Sequence, residues 1–241
     1  GIQQRFAAVE QVFHDVESTC TRFDADSPLM RLNAHPGARR AVPDRLAAAL
    51  KAAFDAYTRT EGRFDPRILD DLVRAGYDRS LDAHVPGSRI DGECQPESWW
   101  SRLRRSRTWR PTFDGAEVMV GRRPIDLGGI GKGLAVRWAM EKLAGAGDAV
   151  LLEAGGDIAT VGRGPDGDGW RIGVENPWDV AGDPAVVVDA SDHAVATSSI
   201  RLRTWVRQGA QQHHLIDPRT GRPAESGLQS VTALAADPAW A

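Results

Sequence analysis

Residues 126–133 read Asp-Leu-Gly-Gly-Ile-Gly-Lys-Gly, and an apolar run further on leads into Glu-Ala-Gly-Gly-Asp at 153–157. Glycine lets a backbone approach a ligand closely, and a helix start gathers unpaired N–H groups that suit phosphate. Lys132 adds a positive charge beside that backbone. Asp126 can accept hydrogen bonds from a ligand or order the elbow itself. Without a ligand the same residues make a tight strand-to-helix turn. The pattern is neither a Walker A loop nor the dinucleotide fingerprint Gly-x-Gly-x-x-Gly. In the second segment, a strand ending in Gly-Gly-Asp puts the Asp157 carboxylate beside open backbone. The plain alternative there is a turn closed by an Asx-type hydrogen bond.

A third segment, His213-His-Leu-Ile-Asp-Pro-Arg-Thr-Gly221, gathers two imidazoles, a carboxylate, an arginine and a hydroxyl. Histidine can act as a base near neutral pH. Adjacent histidines in a strand point to opposite faces, so at most one of His213 and His214 faces a given ligand. The alternative is a polar hairpin in which Asp217 and Thr220 bond their own turn. Phe64-Asp65-Pro66, after Gly62, sets one more loop carboxylate beside an aromatic ring.

The elements that must position these groups follow from periodicity and breakers. Phe6, Val9, Val12, Phe13 and Val16 fall at helical spacing and predict an amphipathic helix over 2–23. Asp24–Pro28 breaks it, and Ser27 can cap the short helix that follows. Val42–Thr60 reads as a second long helix with Pro43 at its start. Ile68–Gly76 reads as another with Gly76 as its C-cap. Residues 78–98 are polar and turn-rich, a loop or an insertion. Thr108–Phe113 and Glu117–Val120 predict a hairpin around Asp114-Gly115. Lys132–Ala144 is a helix ended by Gly145–Gly147, and Ala149–Leu152 a short buried strand. Further strands are expected at 158–161, 170–174, 185–190, 194–198, 202–208 and 229–235, with 213–222 an irregular loop. Helices fill the first third and strands the rest around one central helix. That pattern predicts an α+β fold with a mixed or antiparallel sheet core rather than a regular α/β alternation.

The 241 residues suit one domain, or two intimate lobes, with a real core. A net charge of −3 gives no basic excess of the kind nucleic-acid binding needs. The run Ser101–Arg110 is the one basic cluster and reads as a solvated surface. Cys20 and Cys94 form neither a metal-type pair nor a disulfide framework. The eight tryptophans follow no single spacing and read as packing residues. No apolar run approaches the roughly 20 residues that span a membrane.

Taken in order, six segments resemble the FAD:protein FMN transferases, the ApbE family. They are Asp26-Ser-Pro-Leu-Met-Arg-Leu-Asn33, Thr60-Glu-Gly-Arg-Phe-Asp-Pro66, the elbow at 126–133, Glu153–Asp157, Trp170-Arg-Ile-Gly-Val174 and His213–Gly221. The resemblance runs from near residue 23 to the end of the chain. It implies an enzyme that binds FAD as substrate together with Mg²⁺. Such enzymes cleave the flavin pyrophosphate, transfer FMN to a Thr or Ser hydroxyl of an acceptor flavoprotein, and release AMP. Some relatives instead hydrolyse FAD to FMN and AMP, and a non-catalytic FAD-binding protein is the third reading.

By match to the family, Phe23 occupies the place of a flavin-site tyrosine, keeping a ring and losing a hydroxyl. Arg63, Phe64 and Asp65 match an FAD-contacting loop, and Asp126 and Lys132 match FAD contacts in the elbow. Asp157 joins the cofactor-binding set, and Leu215 and Ile216 lie on a strand expected to pass the cofactor. The Gly129 carbonyl matches a backbone metal ligand. His214 is the candidate base for the acceptor hydroxyl. In the family a carboxylate, and a threonine four residues later, complete the metal site. By register that carboxylate falls just after Ala241, and Asp237 falls too early to replace it. An N-terminal strand is also missing from the pattern. The expectation is therefore one ApbE-like domain, cut short at both ends, with a flavin-ready site and an incomplete metal site.

Overall fold

The computed structural model describes residues 1–80 and 108–241, and the backbone of 88–89. Most of the polar stretch 78–98, the basic run up to Arg107, Cys94, Trp99 and Trp100 lie outside the described residues. The chain divides into two compact units.

The first unit joins residues 1–17, 130–199 and 228–241. Its frame is a four-stranded antiparallel sheet of β5 (Val150–Ala154), β6 (Asp157–Val161), β9 (Ala194–Ser199) and β14 (Ser230–Ala235), in the order β14-β9-β6-β5. Helix α5 (Gly131–Leu143) packs on one face, burying Val136 against Ala159 and Ala194. Helix α1 (Ile2–Cys20) lays Val9 and Val12 against Ala139 and Leu143. Val9, Val12 and Val16 are buried as the spacing predicts, but Phe6 is 54% exposed and lies off the stripe. β7 (Arg171–Val174) and β8 (Val186–Asp189) form a hairpin, and Ile172 packs with Ala190 and Val195. The expected buried strand at 149–152 is instead half open, with Leu151 and Glu153 exposed. Only alternate residues of β5 face the helices, as a sheet covered unevenly allows.

The second unit joins residues 18–129 and 200–227. Helices α2 (Pro28–Asn33), α3 (Asp44–Arg59) and α4 (Leu69–Ala75) carry most of its core. Ser27 caps α2 as expected, its Oγ accepting the Met30 N–H at 3.1 Å. Strands β3 (Thr112–Asp114) and β4 (Glu117–Met119) make the predicted hairpin, and β1 (Arg40–Ala41) extends it. β10 (Thr204–Arg207) pairs antiparallel with β11 (Ala210–His213) and parallel with β2 (Ser88–Arg89), so this sheet is mixed.

The end of α4 decides where the Tyr77 ring sits. Gly76 takes φ 101°, and the Tyr77 N–H reaches back to the Leu72 carbonyl at 2.9 Å, a Schellman closure. That closure folds the Tyr77 ring onto Leu72, Ala75 and Trp205. The Trp205 indole N–H donates to the Ala75 carbonyl at 2.7 Å, satisfying a last-turn oxygen.

The elbow glycines have a partly internal cause. None of Gly128, Gly129, Gly131 and Gly133 has a positive φ. A Cβ on Gly133 would fall against the Pro238 carbonyl oxygen, backbone that cannot swing away. We expect Gly133→Ala to cost about 1–3 kcal/mol by overpacking, read as a Tm loss of several degrees. An unchanged Tm would refute that close packing.

Candidate functional site

In the second unit, Asp126 follows Ile125 out of the core and is itself 7% exposed. Its backbone N–H donates to the Pro66 carbonyl at 2.7 Å, tying the elbow to the 60–66 loop. Its Oδ2 lies 3.1 Å from Arg22 Nε, and its Oδ1 accepts the Gly128 N–H at 2.9 Å. Burial pushes the Asp126 carboxyl above its ordinary range, and the Arg22 charge and the Gly128 N–H oppose that rise. Burial likewise lowers Arg22, with Asp126 opposing. Each partner's charge thus opposes the neutralisation that burial favours in the other.

Arg22 also donates to the Tyr77 carbonyl, and its guanidinium lies over the Phe23 and Tyr77 rings. Tyr77 is the hub of an aromatic group. Its ring centroid lies 5.8 Å from Phe23, 5.4 Å from Trp205 and 6.5 Å from His214. Phe23 is 46% exposed, so part of its face is open to a ligand. The structure thus brings together Phe23, Asp126 and His214 through two residues, Arg22 and Tyr77, that the motifs do not mark. The signals were present but weak: Arg22 abuts Phe23, and Tyr77 follows the Gly76 cap.

The two histidines have different surroundings. The Leu215 N–H donates to His213 Nδ1 at 3.3 Å, and His213 Nε2 faces the Ala224 carbonyl at 3.1 Å. These partners specify the neutral tautomer protonated on Nε2. Burial lowers the His213 pKa from 6.5, with the Ala224 carbonyl opposing. His213 is therefore a structural group, while His214 is half-buried with its ring turned edge-on to Tyr77 at 73°.

A lowered histidine pKa means the unfolded chain binds more protons. Stability from His213 is thus full above the unfolded value near 6.5 and is lost as pH falls below it. We expect Tm to fall on acidification from pH 7 to 5, and His213→Gln to flatten that slope. An equal slope in both proteins would show that His213 does not govern it.

The expected irregular loop at 213–222 is a paired ribbon: β12 (Ile216–Asp217) pairs antiparallel with β13 (Arg222–Pro223). Asp217 accepts from Arg219 at 3.1 and 3.0 Å, and the Thr220 and Gly221 N–H groups donate to its carbonyl. The polar hairpin alternative accounts for these residues. Ile216 lies on β12 and Leu215 just before it, both half-buried.

Asp65 is 8% exposed and faces Arg67, whose Nη2 lies 2.6 Å from its Oδ2. This two-pronged pair orders the loop from within. Phe64 packs under the elbow, 3.2 Å from where a Gly129 Cβ would stand, and Arg63 is exposed.

In the first unit, α5 starts at Gly131 after Ile130, with no side-chain cap. Lys132 stands in its first turn, with its Nζ 2.5 Å from Asp157 Oδ1 and 3.2 Å from the Gly155 carbonyl. Gly155 and Gly156 take φ 61° and 90° in a two-residue hairpin turn between Ala154 and Asp157. Two successive positive φ values explain the glycine pair. The Lys132 side chain is 43% exposed, so its ammonium can exchange Asp157 for an anion.

Among the described residues no three His, Cys, Asp or Glu side chains converge on a possible metal position. The resemblance would give Mg²⁺ the Gly129 carbonyl oxygen, and this ion usually fills many of its six positions with waters and substrate phosphates. No helix among the described residues is long and apolar enough to cross a membrane.

The ApbE family model matches residues 2–241. An FAD:protein FMN transferase of Treponema pallidum is 32% identical over 255 residues, covering 95% of this chain and 67% of that protein. The crystal structure of the ApbE protein of Thermotoga maritima superposes with a TM-score of 0.80 at 28% identity, covering 99% of this chain and 75% of that one. The flavin transferase ApbE of Vibrio cholerae gives a TM-score of 0.75 at 25% identity, covering 98% of this chain and 74% of that one.

Proposed function

The chain belongs to the ApbE family and is a transferase, and from that premise we propose that it moves FMN from FAD to a Thr or Ser hydroxyl of an acceptor flavoprotein. The family match over 2–241 carries this reading. Residues 1–241 act as one flavin transferase domain.

In this reading the acceptor oxygen attacks the FMN phosphorus. The new O–P bond forms as the bridging P–O bond to AMP breaks, AMP leaves with the electron pair, and the hydroxyl proton passes to a base. His214 is that base. Phe23 offers its open face to the isoalloxazine, with Leu215 and Ile216 as apolar neighbours of the cofactor. Arg63 and Phe64 meet FAD directly, and Asp65 holds their loop through Arg67. Asp126 fixes the elbow backbone. Lys132 and the uncapped start of α5 suit the pyrophosphate, with Asp157 holding the lysine in its absence.

Magnesium enters by resemblance, with the Gly129 carbonyl as its one described ligand. When bound it would neutralise charge on the phosphates. No step above is routed through it.

The test is to incubate the protein with FAD and Mg²⁺, with and without an acceptor subunit, and to follow AMP and free FMN by chromatography. AMP formation dependent on acceptor, without free FMN, supports transfer. Free FMN without acceptor supports the hydrolytic reading. FAD affinity with no AMP in either arm supports a binding protein.

A further inference from the structure

Arg22 lies outside all six motif segments, yet it joins the groups they contribute. Its side chain is 6% exposed, and its three nitrogens differ. Nε meets Asp126, Nη1 donates to the Tyr77 carbonyl at 2.6 Å, and Nη2 is buried with no hydrogen-bond partner. The guanidinium carbon lies 4.3 Å from the Phe23 ring centroid and 4.2 Å from that of Tyr77.

Only arginine supplies this combination of planar stacking and directional donation. A lysine would keep the charge for Asp126 and lose the flat contact with both rings. A scaffold arginine normally satisfies its buried donors, because an unmet one opposes folding. Here one donor is left unmet while the cation stays pressed against a ring that is 46% exposed. The arrangement favours ring placement over complete hydrogen bonding.

We propose that Arg22 is a positioning residue for the flavin: it locks the Phe23 ring in place and couples that ring to the Asp126 elbow. The inference rests on the flavin-transferase reading, which supplies the ligand that Phe23 faces. A ring held in one orientation before binding saves the entropy of ordering it afterwards. Arg22 therefore acts through Phe23, and its effect belongs in FAD affinity rather than in the chemical step.

The experiment titrates FAD, by quenching of its fluorescence, against wild type, Arg22→Lys, Phe23→Leu and the double variant, with Tm measured for each. Arg22→Lys is expected to weaken FAD about tenfold, near the upper end of what ordering one freed side chain on binding costs. The double variant should be no weaker than the weaker single one by more than about twofold, because both changes remove one device. Independent, multiplying effects would overturn the coupling. A lower Tm with an unchanged FAD Kd would make Arg22 merely structural and also overturn it. Should Arg22→Lys fail to fold, Tyr77→Leu removes one wall of the stack and leaves the ion pair. It should weaken FAD by a similar factor, and an unchanged Kd overturns the proposal. A wild-type protein without FAD affinity overturns the flavin reading itself. Wild-type binding with unaltered variants overturns only the role of Arg22.

Discussion

Replacing His214 by Ala is expected to slow FMN transfer by about 10²–10⁴-fold, the usual worth of a positioned general base, while FAD affinity stays within a few-fold of wild type. The expectation rests on the different surroundings of two adjacent imidazoles. Both nitrogens of His213 are committed to the Leu215 N–H and the Ala224 carbonyl. His214 instead stands beside Tyr77, the ring that also meets Phe23 and Arg22. Single-turnover transfer with saturating FAD isolates the chemical step from binding. A fall in that rate with a near-constant FAD Kd assigns His214 to the proton transfer. An unchanged rate removes it from the mechanism, and a rise in Kd alone makes it a binding residue.

Replacing Asp126 by Asn is expected to cost about 3–5 kcal/mol of stability, because it removes the nearest carboxylate from the buried Arg22 guanidinium. Both side chains of the pair are nearly closed to water, at 6% and 8% exposure. The loss should appear as a Tm drop of about 10 °C. Lys132→Ala is the contrasting case. That ion pair involves a lysine side chain 43% exposed, so its removal costs less than about 1 kcal/mol. Equal Tm losses for the two variants would show that burial does not set the energetics here.

Helices were the most readable part of the chain. The α1 stripe, the Ser27 cap and the Gly76 cap each have a local cause within a few residues, so sequence pattern suffices. Phe6 broke the stripe because which apolar residue a helix buries depends on what packs against it. The ribbon at 216–223 was missed because each of its two strands has only two residues, too short to show a period. Within the candidate site, residue types were legible and pairings were not. Asp65 and Asp126 looked like carboxylates offered to a ligand, and the fold turns them to Arg67 and Arg22. Lys132 and Asp157 are 25 residues apart and meet only through the β5–β6 turn. From sequence the Gly155-Gly156 pair fits either open backbone or a turn, and the structure makes it the turn.

Transfer, as proposed, joins FMN covalently to a protein hydroxyl. Its most direct test is the intact mass of an acceptor flavoprotein after incubation with the enzyme, FAD and Mg²⁺, beside the same acceptor with its target Thr or Ser changed to Ala. One added FMN is expected on the first, with an equal amount of AMP, and none on the second. An acceptor that gains no mass while FAD is bound, or while FAD is only hydrolysed to free FMN, would contradict it.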